Sequence, residues 1–241
     1  MRFIDSHLHL GDFVGMEVLA YARGSETVLV TNGIDKASSL KGVNLAKDCP
    51  DLVRAFVGVH PSEAAKSPIG DWLSETLKQA EGIGEIGLDP KYSAIREDQE
   101  PIFRKQLETA EKQGKPVQIH SRGAEKECTE ILDSYKLPAV LLHWFQGEKQ
   151  ASNATAKGYY VSFGPALLIS KKLQRIAQMW DKDRILVESD WPVRFSSLGE
   201  VGGPALIPSI LFHISTFFAE DFEETRERIG KNSLRFLSSK H

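Results

Sequence analysis

Cysteine is nearly absent from this chain of 241 residues: Cys49 and Cys128 are the only two. They lie far apart and outside any C-x-x-C spacing, which argues against a disulfide framework or a thiolate metal site and suits a reducing compartment. Both are expected as free thiols. No stretch approaches the roughly 20 apolar residues of a membrane span, and the first residues lack the basic and apolar regions of a secretory signal. A cytoplasmic protein is the expectation. A surplus of positive charge is missing too, the formal net charge being -3, so a polyanion has to be held by local groups or bound cations. Internal repeats, low-complexity tracts and linkers are also lacking, and residues 1–241 are expected to form one domain.

What the chain does have is alternation. Short apolar runs at Arg2 to His7, Thr27 to Thr31, Val53 to Val59, Gly82 to Gly87, Pro116 to His120, Ala139 to His143, Gly158 to Ser162 and Arg184 to Glu188 read as eight strands. Amphipathic segments lie between them, the clearest being Glu97 to Gln113, with Ile102, Phe103, Leu107 and Ala110 on one stripe and Gly114 as its stop. Glu125 to Tyr135, Ser170 to Trp180, Ala205 to Ala219 and Glu223 to Leu237 read as helices as well. Strands alternating with helices imply a parallel sheet with right-handed crossovers. At this length such a sheet closes most economically into an α/β (β/α)8 TIM barrel, with an open doubly wound sheet as the alternative.

The first strand carries Asp5, His7 and His9 at alternate positions, and a period of two puts them on one face. Two imidazoles spaced i, i+2 converge on one metal ion, with Asp5 a step deeper to orient a ligand. His60, His120 and His143 also fall at or just past the carboxyl ends of strands, Glu85 and Asp89 lie in or after the fourth strand, and Asp190 follows the eighth. Of the histidines, only His213 and His241 fall elsewhere. The carboxyl rim is where these barrels build active sites, and so many polar groups in one barrel mouth are costly unless a metal or a mutual network satisfies them. Arg122, two residues past His120, has the planar fork that suits phosphate oxygens. Glu188 is expected either to orient a ligand or to pair with a buried neighbour. Trp144 and Trp191 follow proposed ligands, where they stack on a base or pack between loops. Gly82-x-Gly84-x-x-Gly87 matches a dinucleotide fingerprint in letters, but no helix opens after it, and it is read as barrel geometry.

Six blocks in order, Asp5-Ser-His-Leu-His9, Gly58-Val-His-Pro61, Gly84-Glu-Ile-Gly-Leu-Asp89, Ile119-His-Ser-Arg122, Leu142-His143 with Phe145 and Gly147, and Glu188-Ser-Asp190, resemble the TatD family of metal-dependent hydrolases and deoxyribonucleases. The resemblance implies two divalent ions, zinc, manganese or magnesium, with His7, His9 and Asp190 at the first, His120 and His143 at the second, and Glu85 bridging. It further implies DNA as substrate, His60 and Arg122 on its phosphate, and Asp190 with Glu85 as the catalytic carboxylates. Gly123, Trp144, Gln146 and Trp191 depart from the usual pattern beside the ligands and leave the ligand set intact. A bound cation lowers the pKa of its water from 15.7 to about 7, roughly 12 kcal/mol at about 1.36 kcal/mol per unit. A general base supplies about 10²- to 10⁴-fold, or about 3 to 5.5 kcal/mol. A metal-activated hydroxide is therefore the expected nucleophile. The alternative is an amidohydrolase or lactonase acting on a small cyclic amide or ester. The absence of a lysine from the fourth strand, where that broader group often carries a carboxylated one, together with Glu85, favours the nuclease.

Overall fold

The structure, a computed structural model, describes residues 2–11, 16–199 and 202–239; His241 lies outside them. Its elements alternate as β1 (Phe3–Leu8), α1 (Met16–Gly24), β2 (Thr27–Asn32), α2 (Lys36–Asp48), β3 (Val53–Val57), α3 (Asp71–Leu77), β4 (Gly82–Gly87), α4 (Glu100–Gln113), β5 (Val117–His120), α5 (Glu125–Leu132), β6 (Val140–Leu142), α6 (Glu148–Ala156), β7 (Tyr160–Phe163), α7 (Lys171–Met179), β8 (Ile185–Val187), α8 (Ile207–Phe218) and α9 (Phe222–Leu237). The eight strands pair in parallel in sequence order, giving the expected TIM barrel. Each neighbouring pair of strands is separated by a helix, which is what parallel pairing requires. Among the described residues no single helix is long and apolar enough to cross a membrane, and Cys49 and Cys128 are free thiols.

The ladder runs from β1 to β8, and the remaining seam is stitched by specific bonds. His9 N–H donates to Trp191 O at 2.7 Å and Asp190 N–H to His7 O at 3.0 Å. Ser6 Oγ donates to Val187 O at 2.7 Å, and Ser189 N–H to Asp5 Oδ1 at 2.8 Å. These bonds bring the histidine-bearing end of β1 against the loop that carries Asp190.

Two register shifts aim the site. Asp5 is level with Leu29 but Leu8 with Thr31, so β1 carries one extra residue between them, and β4 carries one between Ile83 and Ile86. Ile4 packs inside the barrel while Leu8 and Leu10 pack outside it under α1, so the alternation changes phase at the bulge. This corrects the strict period-of-two reading of Asp5, His7 and His9. The two histidines share a face, whereas Asp5 turns to the β8 seam and orients no imidazole. Its second oxygen is buried without a partner, and burial pushes its pKa up to about 7 against the opposing Ser189 bonds.

Other expectations shift by a few residues. The helix read from Glu97 is an α-helix only from Glu100, with Pro101 in its first turn and a five-residue π turn, Ile95–Gln99, before it. Pro is tolerated in a first turn because its missing N–H has no partner there. Gly114 closes the helix at φ 60. Of the glycine run, a Cβ on Gly82 would lie 2.3 Å from Pro116 O, and one on Gly87 1.9 Å from His120 O. These glycines serve close strand packing. Phe217 and Phe218 pack against the outer core as half-buried side chains, but Phe212 on the same helix is exposed.

The amino end of the barrel is closed by α9. Phe236 is buried among Ile4, Val28, Leu141 and Leu186, stacked 5.8 Å from Phe56 and tilted 5.4 Å from Tyr160. Phe236→Ala leaves a cavity in this plug and is expected to destabilise the fold by about 3 to 5 kcal/mol. Urea unfolding of both proteins checks this, and a loss under about 1 kcal/mol would show that the plug repacks freely.

Candidate metal centre

Glu85 stands at the centre of the carboxyl rim, and its two oxygens face different histidines. Oε2 lies 3.5 Å from His7 Nε2 and 3.2 Å from His9 Nε2. Oε1 lies 2.6 Å from His120 Nδ1 and 3.0 Å from His143 Nε2. Asp190 Oδ1 is 3.7 Å from His7 Nε2 and 3.6 Å from His9 Nε2. Thus His7, His9, Glu85, His120, His143 and Asp190 form one cluster, all buried except the partly buried His9 and His120.

The orientation of each ring follows from its outward hydrogen bond. Gln118 Nε2 donates to Ser6 O, so its Oε1 accepts from His7 Nδ1–H at 2.7 Å. His9 Nδ1–H donates to Asn32 O at 3.0 Å, and His143 Nδ1–H donates to the Glu188 carboxylate at 3.3 and 3.4 Å. His120 is reversed: its Nε2–H donates to Asp89 Oδ2 at 2.9 Å, leaving Nδ1 inward. Each of the four rings therefore spends one N–H outward and turns its other nitrogen toward Glu85, the arrangement that metal-ligating histidines adopt. Glu188 thus orients His143, and Ser162 Oγ donates to it from behind. Gln118, Asn32 and Asp89 do the same for the other three rings.

His60 differs. Its Nδ1 accepts from Ser62 N–H at 3.1 Å, so in that tautomer Nε2 carries the proton and points to Glu85 Oε1 at 3.6 Å. Burial, aided by nearby histidines and against the Glu85 charge, lowers its pKa to about 3. Among the histidines of this cluster, His60 is built as a donor.

Lone pairs of four imidazoles facing carboxylate oxygens repel unless positive charge lies between them. Without a cation, protons fill that role. His9 is raised to about 10 because, against burial, the bonds and charges of Asp190 and Glu85 win. His120 and His143 are raised likewise: against burial, Glu85 and Asp89 hold the proton on His120, and Glu188 and Glu85 hold it on His143. Glu85 and Asp190 are held low by surrounding histidines despite their burial. Protons fill the role poorly. A proton on His143 sets its charge against the face of the His7 ring stacked at 3.8 Å, and His7 Nε2 is buried with no hydrogen-bond partner. Divalent cations with mixed imidazole and carboxylate ligands meet the demand. Ligand atoms of His7, His9 and Glu85, and separately of His7, His143 and Asp190, lie within 4.8 Å of one another, close enough to share an ion.

Above the cluster opens a cavity of about 540 Å³ whose wall includes His60, Tyr92, Arg122, Trp144 and Gln146. Arg122 is anchored to Asp89 through Nε at 2.7 Å and a terminal nitrogen at 2.6 Å, and its charge is held by that bond. Trp144 leans on Phe195 at 5.4 Å. Trp191 packs in the outer cluster beneath α1, with Arg194 5.9 Å above its ring, and does not line the cavity. Lys171 and Lys172 are exposed on α7 and do not line it either. Asp190 and Trp144 hold φ at 51 and 39, a left-handed conformation uncommon outside glycine that the packed rim sustains.

Comparison with known proteins agrees with this geometry. The family model described as TatD related DNase matches residues 4–238. An uncharacterized metal-dependent hydrolase of Methanocaldococcus jannaschii is 25% identical over 98% of this chain and 97% of its own. The 3'-5' ssDNA/RNA exonuclease TatD of Erwinia tasmaniensis is 26% identical over 89% of each. The crystal structure of a TatD family hydrolase from Entamoeba histolytica superposes with a TM-score of 0.78 at 16% identity over 98% of both chains, a likeness of fold.

The raised histidines make metal binding depend on pH. In the metal-free protein the His9 contribution to stability is full below the ordinary pKa of about 6.5 and is lost as pH rises through about 10. A cation displaces that proton, so affinity should rise with pH through the same window. Calorimetric titration with manganese at pH 7, in buffers of different ionisation heat, should show at least one proton released per chain, and the affinity should rise between about pH 6.5 and about pH 8. Binding without proton release would show that the cation sits elsewhere.

Proposed function

The chain belongs to the TatD-related DNase family of metal-dependent hydrolases, and from that premise we propose that it is a deoxyribonuclease holding two divalent ions. His7, His9 and Asp190 would hold one and His120 and His143 the other, with Glu85 placed to serve both. The observation that carries this reading is the division of Glu85 between two groups of histidine nitrogens beneath a cavity lined by Arg122 and His60. The names of relatives support it, since they include a single-strand DNA and RNA exonuclease and a human deoxyribonuclease.

Cations bound here supply Lewis acidity and lower the pKa of water. The chain supplies position and proton transfer. His60 Nε2–H and the outer edge of the Arg122 guanidinium meet the phosphate oxygens as donors, the arginine through charge-assisted bonds. Arg122 is the specific anion contact in a protein with no net positive charge to draw DNA from a distance. The Asp190 carboxylate is kept ionised by His9, His143 and His7 against its burial. It is therefore able to orient the attacking water and accept its proton. The cavity volume of about 540 Å³ falls within the range of small-molecule sites, about 300 to 1,000 Å³.

Metal-reconstituted protein assayed against single-stranded DNA, duplex DNA, RNA and small lactones should hydrolyse nucleic acid and leave lactones intact. Lactone or amide hydrolysis with no phosphodiester cleavage would replace the nuclease by an amidohydrolase. Asp190→Asn keeps a neutral oxygen for coordination and removes the proton acceptor. Its kcat should fall roughly 10²-fold or more, while the melting temperature and the His120–His143 ion persist. A folded variant with near-normal kcat would remove Asp190 from the chemistry.

A further inference from the structure

One carboxylate in this region belongs neither to the ligands nor to the substrate contacts. Asp89 is 1% exposed at the carboxyl end of β4. Its Oδ2 receives three donors: Arg122 Nε at 2.7 Å, a terminal nitrogen of Arg122 at 2.6 Å and His120 Nε2 at 2.9 Å. Its Oδ1 accepts from Lys91 N–H at 2.9 Å. Its own N–H donates to Gln99 Oε1 at 2.7 Å, and its carbonyl accepts from Gln99 Nε2 at 2.8 Å. Every polar atom of Asp89 is engaged, and the residue is fixed from three directions.

Both groups that it holds need such a partner. The Arg122 side chain is 45% exposed, and an arginine free in solvent keeps many rotamers that binding would have to freeze. Asp89 occupies one edge of the fork and Tyr92 sits with its ring centre 5.3 Å from the guanidinium carbon. The Tyr92 side chain also hydrogen-bonds the guanidinium, and Arg122 so held lines the cavity. His120, in turn, presents Nδ1 to Glu85 only while Nε2 keeps its proton, and Asp89 accepts that proton's hydrogen bond.

We propose that Asp89 is a positioning residue that ties the His120 metal position to the phosphate grip of Arg122. A single oxygen sets the ring tautomer on one side and the guanidinium orientation on the other. This rests on the reading of Arg122 as the phosphate contact. Removing the carboxylate should therefore weaken two bindings that otherwise share no group.

The test uses Asp89→Asn, which is nearly isosteric and keeps an oxygen for Lys91 N–H, alongside Arg122→Ala and the double variant. Manganese titration should show one ion weakened roughly 10- to 100-fold in Asp89→Asn, the usual cost of losing a partner behind a metal-bound histidine. Arg122→Ala should leave both ions unchanged. At saturating manganese, inorganic phosphate should bind roughly tenfold more weakly to either single variant, the size expected for one charged hydrogen-bonding group. The double variant should bind it no more weakly than Arg122→Ala alone, because Asp89 acts through that arginine. In wild type, nitrogen-15 histidine spectra of zinc-loaded protein should show His120 protonated at Nε2. Unchanged metal affinity in Asp89→Asn, additive losses of phosphate, or an unprotonated Nε2 would each overturn the assignment. The spectrum decides it even if the variant does not fold. Should the protein cleave no nucleic acid while these bindings shift as stated, the Asp89 assignment stands and the nuclease reading falls.

Discussion

The repulsion between inward-facing imidazole lone pairs and a buried Glu85 is the constraint on which the rest of the site depends. Carboxylate oxygens lie 2.6 to 3.5 Å from four histidine nitrogens. Stranding that many polar atoms in a protein interior is expensive unless positive charge satisfies them. Protons answer the demand only in part, since His7 Nε2 is left buried without a hydrogen-bond partner. The fold therefore tolerates this arrangement most readily with cations present, and the pKa shifts of His9, His120 and His143 express the same demand in the metal-free protein.

Rigidity behind the ligands comes from neutral amides as much as from charges. Gln118 and the Asn32 carbonyl set the rings of His7 and His9. Gln106, on α4, grips both the N–H and the carbonyl of Val59, immediately before His60, at 2.7 and 3.0 Å. Gln99 grips Asp89 in the same manner. A single helix and its leading turn thus fix two rim positions, those beside His60 and at Asp89. That is the preorganisation on which electrostatic catalysis relies.

Much of this was legible in the sequence because barrel geometry converts strand ends into a rim. His7, His9, His120 and His143, with Glu85 and Asp190, announced themselves by falling at carboxyl ends of apolar runs, and eight such runs were enough for the fold. The residues behind them left no such signal. Gln118 sits inside an apolar strand, and Gln99 and Gln106 look like ordinary polar positions of an amphipathic helix, so only the assembled barrel shows what they hold. The bulge in β1 was equally silent. Alternation in Asp5-Ser-His-Leu-His9 reads as one continuous face, yet the extra residue moves Asp5 out of the set. Helices α1, α2, α3 and α6 do not stand out in the sequence. They are short or polar: α6 is Glu-Lys-Gln-Ala-Ser-Asn-Ala-Thr-Ala with only Ala151 and Ala154 buried, so packing rather than periodicity defines it.

The central proposal is that Glu85 would serve two cations, one on each oxygen. Anomalous diffraction from crystals of the manganese-loaded protein tests it directly. The account predicts two peaks, one among His7, His9, Asp190 and Glu85 Oε2 and one among His120, His143 and Glu85 Oε1. A single peak, or ions bound away from Glu85, would contradict it.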